Sequence, residues 1–141
     1  MTSRDTTASH RTPAHRTSVG IVALAAVADI VAICVFVAIG RRNHDEAGTV
    51  SGFLTTGWPF LVGAFFGWCV TVVATGRRFA PGRLLPAGAV VWVSTVVVGM
   101  VLRVFADQGT ATSFIVVASV ATGILLLGWR SIAALVARRR S

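Results

Sequence analysis

VGIVALAAVADIVAICVFVAI, residues 19–39, decides the fold. It runs for 21 residues with a single charged side chain, Asp29, at its midpoint. At about 1.5 Å per residue a helix of this length spans roughly 30 Å, the thickness of a bilayer's hydrocarbon core. No polar face repeats along it that could meet water, so the surroundings it asks for are lipid and other helices. Three more runs of the same kind follow, at residues 53–75, 84–106 and 111–129. The expected fold class is therefore all-α, an integral membrane bundle of four transmembrane helices occupying residues 18–136, with a basic tail at 1–17 and another at 137–141.

Composition agrees. Of 141 residues 55% are hydrophobic and 13% charged, with a mean hydropathy of +0.78, which excludes a water-soluble domain. The formal charge of +8 would in a soluble protein suggest nucleic acid. Here every one of the 13 basic residues is Arg, and they flank apolar runs, where cations anchor helix ends to headgroups. The partners this implies are the bilayer itself and anionic lipid at the Arg clusters, and not nucleic acid.

The links fit the spans. Gly40 is read as closing the first helix, Pro81-Gly82 as a turn, and Pro86 as lying in the first turn of the third helix, where a missing N–H costs little. Residues 1–17, rich in Ser and Thr, read as disordered, and neither His10 nor His15 has a neighbour that would make it a metal ligand. The series Ala26-Val27-Ala28 has the small-x-small form of a signal-peptide cleavage site. Cleavage there would leave half a span starting at Asp29, so a membrane anchor is the better reading.

Ten Arg fall on the side of the two termini and the second link, against Arg41, Arg42 and Arg103 on the other. By the positive-inside rule both termini are expected in the cytoplasm of a bacterial cell, the protein lying in its inner membrane as a multi-pass chain. Trp58 and Trp129, near opposite ends of their spans, read as interfacial aromatics.

Lipid tails are as apolar as Leu, so helices in a bilayer associate through close backbone approach and buried polar contacts. Small and polar residues mark the inward faces: Thr56, Pro59, Gly63, Gly67, Thr71 and Thr75 in the second span, with Gly63 and Gly67 forming a GxxxG. Gly88, Trp92, Thr95, Gly99 and Arg103 line the third, and Ser119, Gly123 and Arg130 the fourth. Such a stripe serves packing inside one bundle or homo-oligomerisation. Pro59 is expected to kink its helix. Cys34 and Cys69 lie about 15 Å apart in depth, too far for a disulfide.

Asp29 is the strongest candidate for chemistry, because a carboxyl at mid-membrane marks an ion path, a proton relay or a structural partner. Arg103 is its possible intramembrane partner, given tilt or axial shift; otherwise it snorkels to headgroups. The cluster Arg41-Arg42-Asn43-His44-Asp45-Glu46 reads as a solvated link, since consecutive side chains do not converge on one metal. No catalytic residue, metal site or cofactor is expected: neither Cys has a partner base, and no Gly-rich phosphate loop is present.

The stretches VFVAIGRRNH (35–44), WPFLVG (58–63), GMVLR (99–103), GTATSFIVVA (109–118) and LLGWR near the end of the fourth span, together with Asp29, carry a resemblance. The chain resembles an uncharacterised family of small four-helix bacterial membrane proteins, met chiefly in actinobacteria, over about Ala28 to Arg130. The resemblance implies a four-span membrane protein and carries no activity. Two readings of function follow from the residues. One is a non-enzymatic bundle whose polar residues serve folding, assembly or partner binding. The other is a proton- or ion-coupled small-solute transporter with Asp29 as the exchanging carboxyl.

Overall fold

The structure is a computed structural model that describes residues 18–42, 49–76 and 79–140. Helix α1 is Val19–Arg42, α2 Val50–Thr75, α3 Ala89–Phe105 and α4 Thr112–Arg139, with a π-helical turn, Leu84–Gly88, leading into α3. With that turn included, all four spans are long and apolar enough to cross a membrane. The tail at 1–17 with His10 and His15, the cluster Asn43 to Glu46, and Arg77 and Arg78 lie outside the described residues.

Polar contacts at the two ends fix an up-and-down arrangement. At one end Arg41 donates to Thr56 Oγ1 and Gln108 to the Thr55 carbonyl, joining the close of α1, the start of α2 and the α3–α4 link. At the other Arg130, late in α4, donates to the Pro81 carbonyl of the α2–α3 link.

Several boundaries differ from the sequence reading. Gly40 does not close α1, which continues to Arg42. A helical glycine costs only about 1 kcal/mol relative to Ala, and Arg41 and Arg42 face the negative end of the helix dipole. The second helix begins at Val50, because Thr49 Oγ1 caps the N–H of Gly52 at 3.3 Å. The fourth runs ten residues past Trp129, so most of the expected C-terminal tail is helical; SIAALVARR contains good helix formers and no breaker.

The bundle is tightest between α2 and α3. A Cβ on Gly63 would lie 2.9 Å from the Thr95 Cα, and one on Gly67 2.8 Å from the Val91 Cα, so the two backbones touch where the GxxxG lies. Gly99 receives the Phe60 ring in the same way, and Phe60 in turn meets the Phe36 ring edge-on at 5.0 Å. Thr71, Thr95 and Thr122, all buried, return their hydroxyls to carbonyls one turn back, at 2.8, 2.7 and 2.6 Å. They are small inward spacers whose polarity is satisfied within their own helices. Pro59 is buried inside a continuous α2.

Outward the chain is apolar: Val73 is 85% exposed, Phe105 82% and Phe65 71%. Such a surface is stable only against lipid. Cys34 and Cys69 are both free thiols.

Candidate functional site

Asp29 sits on the buried stripe of α1 with Ala25, Ala32, Ile33 and Phe36, at the three- and four-residue spacing of one helix face. It is 2% exposed. The side chain facing it is Arg130, 101 residues away and 0% exposed. Arg130 ends an inward row on α4, Ala118, Thr122, Leu126, Arg130, which recurs every four residues.

The two side chains meet fork to fork. Arg130 Nη1 donates to Asp29 Oδ1 at 2.6 Å and Nη2 to Oδ2 at 2.7 Å, the bidentate geometry that suits a planar guanidinium to a carboxylate. Two indoles complete the carboxylate's shell: Trp68 Nε1 donates to Oδ2 and Trp129 Nε1 to Oδ1, each at 2.9 Å. Each oxygen thus accepts two N–H bonds, which fills the four lone-pair directions of a carboxylate.

The guanidinium uses four of its five N–H groups. Its Nε donates to the Pro81 carbonyl at 3.1 Å and its Nη1 to the Leu126 carbonyl at 2.9 Å, while the Trp129 ring lies 4.4 Å from its central carbon. Gly88 provides the room: a Cβ there would fall 2.8 Å from Arg130 Cδ. One ion pair therefore ties together α1, α2, the α2–α3 link, the entry to α3 and α4.

Asp29 stands ten residues into α1 and Arg130 nine residues before the end of α4. Both depths correspond to about 15 Å of helix, so the pair lies within the membrane span on the side of the α2–α3 link.

Arg103, the partner proposed from sequence, does not pair with Asp29. It sits at the opposite end of the bundle, 8% exposed. Its Nε donates to the Gly109 carbonyl at 3.3 Å, its Nη1 to Gln108 Oε1 at 3.0 Å, and its Nη2 to the carbonyls of Gln108 and Gly109 at 3.0 and 3.2 Å. The Phe114 ring lies 4.4 Å away. The physical reason is depth. Arg103 is two residues from the end of α3, whereas Asp29 belongs to the other half of the membrane.

The sequence reading missed Trp68 and Arg130 as partners of Asp29. Trp129, which reads from sequence as an interfacial aromatic, points its indole N–H inward to the acid. A signal for Arg130 was present: it shares the inward face of α4, where a cation exposed to lipid or water would not be placed.

By fold and site this is a multi-pass helical membrane protein organised around a buried ion pair whose carboxylate accepts four N–H bonds. Residues 26–133 match the family described as Protein of unknown function (DUF3054), and the chain belongs to that family. The matched segment contains Asp29, Trp68, Arg103, Trp129 and Arg130. No curated protein and no solved structure matches the chain.

Proposed function

We propose that the chain works as a non-enzymatic helical bundle of the bacterial cell membrane, in which Asp29 is a permanent structural counterion and not a proton-exchanging group. The observation that carries this is the occupancy of the carboxylate: four N–H donors converge on its two oxygens, at 2.6 to 2.9 Å. Binding a proton would set an O–H against those donors, and releasing Arg130 would bury an unpaired cation, so cycling between states is costly.

The same reading puts both termini in the cytoplasm. Arg83 and the terminal Arg138, Arg139 and Arg140 then meet anionic lipid on that side. The GxxxG of α2 serves packing inside one bundle in this reading, which the close approach of the α3 backbone to Gly63 and Gly67 supports.

The experiment is a pH-gradient assay in proteoliposomes carrying an internal pH dye, with wild type, Asp29→Asn and protein-free vesicles side by side. The expected result is no proton flux above the protein-free control. Flux in wild type that Asp29→Asn abolishes would establish the transporter reading instead.

A further inference from the structure

We infer that the end of the bundle opposite the ion pair is a binding site for an oxyanion, a phosphate or carboxylate carried on a short apolar body. This extends beyond the structural role of Asp29 and does not depend on it.

A half-open cleft of about 490 Å³ lies there, within the range of small-molecule sites. Its polar wall holds Arg41, Arg103 and Gln108, and its apolar wall Phe36, Val37 and Phe114. A second opening of about 470 Å³ also borders Arg103 and Phe114, so the guanidinium stands between two spaces able to admit a ligand.

The chemistry of Arg103 selects the ligand's charge. A buried cation is costly to desolvate unless an opposite charge comes close. Arg130 has the Asp29 carboxylate. Among the described residues Arg103 has only neutral acceptors, three bonds to backbone carbonyls and one to the Gln108 amide oxygen, together with the face of an aromatic ring. Among the described residues no carboxylate forms an ion pair with it.

Four of its five N–H groups are used, which leaves one on Nη1. Gln108 spends one amide N–H on the Thr55 carbonyl at 2.8 Å and keeps a second. A cation with no counterion among the described residues, spare donors beside it and an apolar wall opposite fit an anionic head with a hydrocarbon portion, and fit a neutral or cationic solute poorly. That chemistry belongs both to membrane lipids and to free amphiphiles.

The test uses the full chain purified in a neutral maltoside and freed of lipid, with thermal unfolding followed by Trp fluorescence. Octyl phosphate and inorganic phosphate probe a free anion. Dihexanoyl phosphatidylglycerol probes a lipid headgroup, with dihexanoyl phosphatidylcholine as the zwitterionic control.

Two variants accompany wild type. Arg103→Gln removes the charge. Gly40→Leu adds bulk at a residue of α1 that lines the cleft; an added Cβ there meets nothing within 4 Å, so this variant is expected to fold even if the first does not. The expected result is a saturable upward shift in Tm with at least one anionic probe, weakened about tenfold or more in apparent affinity in each folded variant and reduced by high salt. A shift with the phosphates alone assigns a free anion, and one with phosphatidylglycerol alone assigns lipid. No shift with any anionic probe, an equal shift with phosphatidylcholine, or undiminished binding by Gly40→Leu would overturn the site.

Discussion

Two arginines are buried at opposite ends of this bundle, and they are held in different ways. Arg130 faces a carboxylate and shares that carboxylate with two indoles. Arg103 faces carbonyls, an amide and a ring, beside an open cleft. In a medium of low dielectric the first arrangement is neutral and, among the described residues, the second leaves net positive charge. The pairing thus separates a part of the molecule built to stay fixed from a part with room for something else.

Substitutions on the two sides should separate accordingly, and unfolding in detergent by heat or SDS reads them on a single scale. Arg130→Leu strands the Asp29 carboxylate with only two indole donors, and is expected to cost about 3–5 kcal/mol. A loss under 1 kcal/mol would mean that the pair is incidental.

Gly67→Leu, which drives a side chain into the α3 backbone, is expected to cost about 3 kcal/mol without altering either arginine's surroundings. If instead it raised stability or left it unchanged, the α2–α3 contact would not be as close as the structure has it.

Arg103→Gln should cost less, about 1–2 kcal/mol, since neutral acceptors are left behind that water at the membrane surface can reach. A loss equal to that of Arg130→Leu would erase the distinction between the two ends. Val62→Leu, on a residue 42% exposed on the outer face of α2, should change stability by no more than about 0.5 kcal/mol.

Much of the fold could be read from residue order alone. Run length and hydropathy determined the number of spans, and the four-residue spacing of Gly63 and Gly67 on one span, and of Thr95, Gly99 and Arg103 on the next, marked a close helix contact. Helix ends were less legible, because caps such as Thr49 and the dipole-facing Arg41 and Arg42 act through local geometry that a hydropathy profile averages away.

Asp29 stood out at once, since a lone acid in 21 apolar residues has few explanations. Its partner did not. Arg103 and Arg130 are both arginines near the ends of apolar runs, and only helix depth and rotation tell which of them reaches the acid. Arg130 reads from sequence both as an orienting cation of the C-terminal end and as an inward residue with Ser119 and Gly123, and the buried row Ala118, Thr122, Leu126, Arg130 bears out the inward face. Trp68 had no signal of its own, because an indole in an apolar run looks like any large side chain until its N–H finds an acceptor.

The central claim is that Asp29 is the permanent counterion of Arg130, and a double-mutant cycle tests it most directly. Unfolding free energies would be measured for wild type, Asp29→Asn, Arg130→Gln and the double variant. In Asp29→Asn one carboxylate oxygen becomes an NH₂ facing the donors that had bonded to it, and in Arg130→Gln the carboxylate loses its charge partner. Each single change should be strongly destabilising, and the double should recover at least about 2 kcal/mol of their sum. Two single effects that simply add, or an Asp29→Asn protein as stable as wild type, would contradict it.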